Sequence, residues 1–508
     1  MHLKRPLITS ISVAALLLTG CASIPKLGKA PKVKDVHDYA TAQSLAGNGS
    51  AWPGEGWWKS YGDPQLDQLM TEALAKAPDM AIAKARILSA AGSKQRAGAG
   101  LLPSVNGFVG TGAGHLMRDQ KIRQVTGRGA GLLPSVNGFV GTGAGHLMRD
   151  QKIRQVTGRN DEFKDWGDGG SSFLTIRYNI DIWGGYRAKL AAATSEAKAA
   201  IVDSHEAALT LTTSIAAAYA NLSRLFEERQ VLNRTLAVRS HVLELTQQRL
   251  GHGLDNDSTM QDASARLANA QADLTANQES IDLVRHQIAA LMGAGPDRGM
   301  AITRPQSVKL RAVGLPDNAA LNLLGRRPDI VAARLTAEAA GYRVKVAKTQ
   351  FYPNVSLNGI VGYQTRALEH MATHGLALGA ASAALNLPIF RGGSLSGQYR
   401  EAWATYQEAV ASYDKTLSQA LQQVADAATS QKQLNLQLDQ TVQALNHAEL
   451  SYNVLANRYK SGLVTYIEVL QGEENVLTLR KAVADLRARA FQLDVSLIQA
   501  LGGGFTAA

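Results

Sequence analysis

The sharpest pattern along this chain is an alternation. From Phe173 to Ile182, the apolar Leu174, Ile176, Tyr178, Ile180 and Ile182 interleave with Thr175, Arg177, Asn179 and Asp181. Period two predicts a strand with one apolar and one polar face. Val355, Leu357, Val361 and Tyr363 repeat it less cleanly, Ala381 to Phe390 more weakly, and Val105 to Thr111 carries glycines. A half-buried sheet in a soluble domain would satisfy the same alternation. Elsewhere the spacing changes to three and four, as in Leu434, Leu438, Val442 and Leu445, with Gln, Asn and Asp between them. That spacing predicts helices.

Proline is absent from 187 to 295 and from 389 to 508, and both tracts are rich in Ala, Leu, Gln, Glu and Arg. They predict two long helices, Arg187 to Arg249 and Ser394 to Tyr459, each about 60 residues and roughly 90 Å at 1.5 Å per residue. Each then meets a glycine turn, Gly251-His252-Gly253 or Ser461-Gly462, and a second helix runs back toward Met292 or Leu501. Glycine supplies the left-handed C-cap there. The polar share of these helices is high. Helices packed side by side in a cylinder bury two flanks and wet two faces, whereas a solid bundle asks for a broader apolar stripe.

The chain also repeats itself at long range. Ala77-Pro78-Asp79-Met80 recurs as Arg327-Pro328-Asp329-Ile330, and Leu102-Pro103-Ser104-Val105 as Tyr352-Pro353-Asn354-Val355, both at an offset of 250. Ile182-Trp183 matches Ile389-Phe390 at 207, and Arg249 with Gly253-Leu254 matches Arg458 with Gly462-Leu463 at 209. Each half therefore reads helix, Pro-led strand, second strand, long helix, Gly-Leu turn, second helix. Residues 98–128 and 129–159 are identical. This perfect copy is a very recent duplication or an error in the assembled sequence. A chain entering and leaving a barrel on one side crosses an even number of times. So the first copy, which keeps its preceding helix, is expected as a strand and the second as part of an external loop.

Two strands per half cannot close a membrane barrel, since the smallest outer-membrane barrels have eight strands. If the strands span a membrane, the chain must oligomerise, and a trimer would supply twelve.

The N-terminus sets the compartment. Lys4 and Arg5 precede an apolar run from Leu7 to Thr19, then Leu18-Thr19-Gly20-Cys21. This reads as a cleaved secretory signal, too short to span a bilayer. Cys21 is the only cysteine, so disulfides and thiolate metal clusters are excluded. The net charge of +11 is spread along the chain rather than clustered, and nucleic acid is an improbable partner for a secreted protein. No Gly-x-Ser-x-Gly, His-Glu-x-x-His or phosphate loop stands in a suitable context, so no catalytic residue, metal or cofactor is expected.

Leu18-Thr19-Gly20-Cys21 resembles the lipobox of bacterial lipoproteins, which implies Cys21 as the lipidated N-terminus. The whole order resembles the TolC-like outer-membrane efflux proteins, particularly the NodT-like lipoprotein branch. Further carriers are Trp57-Trp58-Lys59-Ser60-Tyr61-Gly62-Asp63-Pro64-Gln65-Leu66, Arg326-Arg327-Pro328-Asp329-Ile330 with Ala337-Glu338, and Arg458-Tyr459-Lys460-Ser461-Gly462-Leu463. The resemblance spans nearly all of the mature chain; the duplicated 31 residues depart from it.

It implies a mainly α protein with a transmembrane β-barrel: a homotrimer with twelve strands on a twelve-helix periplasmic α-barrel, two structural repeats per chain. The expected organisation is a signal peptide at 1–20, a lipidated N-terminal and equatorial segment at 21–65, a first repeat at 66–295, a linker at 296–320 and a second repeat at 321–508. The implied function is a passive, gated exit duct for small molecules, held in outer-membrane lipid. It would be driven by an inner-membrane RND-type pump through a periplasmic adaptor. Type I protein secretion and a non-pore structural lipoprotein are the alternatives.

By position, the adaptor-docking tips are Gly253-Leu254 and Gly462-Leu463-Val464. Glu468 matches an acidic gate position of the family, and Gln471 stands at a second one without charge. A solvated or ion-paired carboxylate is the plain alternative for Glu468. Alternation puts Arg177, Asn179 and Asp181 on the lumen side of the barrel.

Overall fold

The computed structural model describes residues 24–47, 49–117, 147–148, 166–253, 255–306, 310, 314–365 and 376–507. The elements in order are α1 (Pro64–Lys76), α2 (Pro78–Ala99), β1 (Ser104–Met117), β2 (Leu147–Met148), β3 (Trp166–Ile180), α3 (Gly185–Gly251) and α4 (Asp257–Leu291). There follow α5 (Pro296–Met300), α6 (Ala319–Arg326), α7 (Pro328–Thr349), β4 (Asn354–Thr365), β5 (Leu376–Asn386), α8 (Ser394–Lys460) and α9 (Tyr466–Ala500).

Three helices of the repeat match in length. α2 and α7 have 22 residues each, α3 and α8 have 67, and α4 and α9 have 35. Prolines at Pro78 and Pro328 open the short helices, where a missing N–H is harmless. Gly253 and Gly462 end the long ones, each with φ +74, a conformation that a Cβ would strain. Asn256 caps α4 by accepting from Thr259 N at 3.0 Å.

The chain divides into two compact units: residues 1–28, 92–193 and 340–405, and residues 29–91, 194–339 and 406–508. The first holds one sheet in the order β2-β1-β3-β4-β5, antiparallel except for the two-residue β1–β2 pairing. β1 comes from the first of the two identical copies, while the second, apart from Leu147-Met148, lies outside the described residues. β3 begins earlier than the alternation suggests, because Gly167 to Ser172 pair with β1 through backbone alone. β5 ends at Asn386, before Pro388 and well short of Phe390; proline has no N–H to give a ladder. Near the sheet, Ala347, Phe351, Leu395 and Tyr399 form a small core on which Ile24 and Leu27 pack.

The second unit carries the larger cores. One gathers Tyr61, Leu66, Leu69, Met70, Ile215, Tyr219, Leu222, Ile281, Ile288, Phe491 and Ile498. The other gathers Leu323, Ile330, Leu417, Val424, Leu497 and Leu501. Each fully buried Leu or Ile contributes about 1.5–3 kcal/mol. The tryptophan-tyrosine motif belongs to this packing: Tyr61 meets Phe491 edge-on at 4.8 Å and donates to Asp494 Oδ2 at 2.7 Å. Asp63 caps α1 through Gln65 N and Leu66 N, and also accepts from Tyr219 Oη at 2.6 Å and Gln306 N at 3.1 Å. Arg327 pairs with Asp329 and donates to the Ala500 carbonyl at 3.1 Å. These motifs are therefore buried polar joints rather than reactive groups, although the buried Trp58 Nε1 has no hydrogen-bond partner among the described residues.

Candidate functional site

The sheet is two-faced, and its register shows how. Ile176 stands opposite Val105 on β1 and Gly359 on β4; Leu174 stands opposite Val361, and Tyr178 opposite Leu357. Directly opposed residues share a face. One face thus carries Val105, Val109, Leu174, Ile176, Leu357, Val361, Tyr363 and Leu385, all exposed. The other carries Asn106, Thr175, Arg177, Asn179, Asn358 and Ser382, with Phe108, Phe173 and Ile360 among them. On it Arg177 Nε donates to Asn358 Oδ1 at 3.2 Å. A broad apolar face left open is what lipid contact requires, and it is rare on a soluble domain.

Asn179 lies within β3 beside Ser356, but Asp181 falls one residue past the strand. Its carboxylate accepts from Tyr186 N and Arg187 N and pairs with the Arg187 guanidinium at 3.2 Å. Although burial raises its pKa, those hydrogen bonds outweigh it and hold the carboxyl below the usual range. Asp181 thus anchors the start of α3 at the foot of the sheet. There Trp183 stacks on Tyr352 at 4.6 Å and donates to the Pro353 carbonyl at 2.8 Å. Phe390, 86% exposed, and Ile389 sit at the matching point after β5.

Both edges of this sheet are open. Among the described residues, the outer edge of β1 is paired only at Leu116 and Met117, and the outer edge of β5 not at all. Open edges of this length invite strand pairing.

The second unit holds the two hairpin turns. At the first, Arg249 Nε pairs with Asp255 Oδ2 at 2.7 Å and its guanidinium lies over the Tyr459 ring at 4.8 Å. Leu254 lies outside the described residues, as does Cys21. At the second turn Leu463 is 73% exposed and Val464 half-buried. Thr465 Oγ1 donates to Glu468 Oε1 at 3.1 Å, which ties that carboxylate to the start of α9, where a negative charge suits the helix dipole. Glu468 and Gln471 are both exposed and one turn apart.

They begin a feature that the motifs alone did not reveal. Asn475, Thr478, Asp485, Arg489 and Gln492 continue the same exposed face of α9, polar throughout apart from Ala482, while Val469, Leu470, Val476, Val483 and Leu486 are buried on the other. Reading polar rather than apolar residues at three- and four-residue spacing would have found this stripe. Among the described residues, no helix is long and apolar enough to cross a membrane. Nor does any group of three or more His, Cys, Asp or Glu among them have the arrangement of a metal site.

Known proteins share this architecture. The family model for outer membrane efflux protein matches residues 113–294 and 320–503. The chain is 30% identical over 399 residues to the fusaric acid resistance protein FusA of Burkholderia cepacia, across 78% of this chain and 69% of that one. It is 28% identical over 502 residues to the pyoverdine export outer membrane protein OpmQ of Pseudomonas aeruginosa, across 98% and 96%. The crystal structure of the outer membrane protein VceC from Vibrio cholerae superposes with a TM-score of 0.76 at 38% identity, covering 89% of this chain and 100% of that one.

Proposed function

The chain belongs to the outer membrane efflux protein family, and on that premise we propose that three copies assemble into one gated exit duct. Its location is the outer membrane and its work is efflux. The carrying observation is the two-faced sheet with two open edges. Four long strands are too few for a barrel. Pairing the β5 edge of one copy with the β1 edge of the next closes twelve strands and leaves no edge exposed.

In such a barrel Val105, Ile176, Leu357 and Leu385 face lipid, while Arg177 and Asn179 face water in the lumen. Trp183, Tyr352 and Phe390 suit the membrane interface, where amphipathic rings settle. Lipidation at Cys21 fits the packing of Ile24 and Leu27 beside the strand ends, and one acyl-bearing residue would be auxiliary to the barrel's own hold.

In the helical unit, the polar stripe of α9 lines a water-filled passage, and Glu468 and Gln471 stand at its narrow end. Three Glu468 carboxylates around one axis would favour cations and repel anions. The hairpin tips at Gly253-Leu254 and Gly462-Leu463-Val464 dock a periplasmic adaptor, with Leu463 as an exposed apolar anchor. An inner-membrane pump supplies the energy. Pyoverdine export and fusaric acid resistance in the relatives' names support small organic molecules as the cargo class.

Planar-bilayer recording of the purified protein tests this reading. Discrete ion-conducting events are expected, with cation preference reduced in Glu468→Ala. Silence from both proteins, or cross-linking that traps only monomers, overturns it.

A further inference from the structure

Among the described residues, four charged side chains are buried: Asp63, Arg327, Asp494 and Glu473. Asp63 and Arg327 are held by several hydrogen bonds, and Asp494 accepts from Tyr61. Glu473 is different. It lies on α9 five residues beyond Glu468, only 5% exposed, and its Oε1 has no hydrogen-bond partner within the protein. Arg239 of α3 faces it with Nε at 3.6 Å, too far for a hydrogen bond. That Nε is likewise unpartnered, while Arg239 Nη1 is drawn off to the Arg266 carbonyl at 3.1 Å.

The surroundings offer little else. From α8, Tyr452 and Glu449 face this region; from α3, Arg234; from α4, Arg266; and on α9 itself, Tyr466, Glu474 and Arg480. Two of the other cations are engaged, Arg480 with Glu449 at 2.7 Å, and Arg266 with Asp262 at 2.8 Å and Glu474 at 3.0 Å. A cavity of about 140 Å³, lined by Glu473, Tyr452, Arg234 and Arg480 among others, opens beside the carboxylate. It is roomy enough for water, and so for a proton to arrive.

We propose that Glu473 is a proton-operated clamp: with a proton bound it stabilises the packing of α9 against α3, and on losing it favours a hydrated, opened arrangement. This rests on reading α9 as the helix that carries the gate. The physical cause is desolvation. A buried carboxylate with an oxygen lacking a hydrogen bond is costlier as an anion than as a neutral acid. Burial pushes the Glu473 carboxyl above the ordinary range, with the Arg239 charge opposing.

A group whose pKa is raised in the packed state binds its proton more tightly there. The packed state therefore gains as pH falls through that pKa and weakens as pH rises above it. Acid closes the clamp and neutral pH releases it. Each pKa unit separating the packed and opened states changes their ratio about tenfold per chain.

The test is single-channel recording of the full-length protein between about pH 5 and 8, a window above the ordinary Glu range. Wild type should open more as pH rises. Glu473→Gln, fixed in the neutral form, should stay closed and lose the pH response. Arg239→Gln removes the counter-charge and should move the midpoint to higher pH. Glu473→Gln retaining the wild-type response, Arg239→Gln leaving the midpoint in place, or a flat wild-type response overturns the clamp. If Glu473→Gln fails to assemble, the Arg239→Gln midpoint decides. Silence from wild type and Glu468→Ala at every pH would sink the duct reading itself, whereas conduction without pH dependence sinks only the clamp.

Discussion

The two helical hairpins, α3–α4 and α8–α9, have identical lengths and a constant offset of 209 residues, and their turns share a glycine at φ +74. Their returning helices differ. α4 buries seven residues, of which Ala263 and Ala270 serve the half near the turn, whereas α9 buries fourteen, with Val469, Leu470, Glu473 and Val476 in that half. The turns differ too: Arg249 is locked to Asp255 and Tyr459, while its counterpart Arg458 is exposed. A duplicated backbone has thus been given two interiors. Backbone geometry survives duplication because propensity, caps and turn glycines maintain it, while side chains on the same scaffold diverge into separate tasks.

Four measurements probe how far the two repeats have diverged. The largest effect falls where the hairpins are alike. Ile288 and Leu497 occupy equivalent buried positions, so Ile288→Ala and Leu497→Ala should each cost about 2–5 kcal/mol, read as lowered melting temperature of the detergent-purified protein. A large disparity would mean that even the inner ends have diverged.

The strands extend the comparison. Ile176 and Ala383 lie on the apolar face in equivalent strands of the two repeats. Arginine at either should cost about 2–4 kcal/mol if that face meets lipid and deplete assembled protein from outer membranes. Thr175→Arg on the opposite face should be accepted, and equal loss in all three variants would contradict the face assignment.

At the turns the repeats should part. Arg249→Gln removes a charge-assisted hydrogen bond, a loss of about 1.5–3 kcal/mol, and should speed proteolysis at the first turn; Arg458→Gln should leave cleavage unchanged. Smallest in stability is Glu468→Ala, which removes an exposed carboxylate and one hydrogen bond from Thr465. Its melting temperature should stay near wild type while reversal potentials in a salt gradient shift toward lower cation selectivity. An unaltered reversal potential would return Glu468 to the role of a helix-start residue.

Much of this was legible beforehand. Proline-free tracts and turn glycines marked the four main helices to within a few residues, and the repeat gave their order. The alternation at Leu174–Ile180 named both faces of β3. It failed where side chains carry no contrast. β5 is built of Ala, Gly and Leu around single Ser and Asn residues, so its limits came from backbone pairing to β4. Asp181 looked like a lumen residue because period two was extended one position beyond the strand's end.

Local propensity and periodicity were enough to set the helices, the turns, the twofold order and one amphipathic strand. The rest arose from contacts between elements. Packing joined residues hundreds of positions apart, turning the tryptophan-tyrosine motif into a core joint with Asp494 and exposing the polar stripe of α9. It also left Glu473 facing Arg239 without a hydrogen bond. Burial and unmet hydrogen bonds arise between elements, and no reading along one strand or helix can supply them.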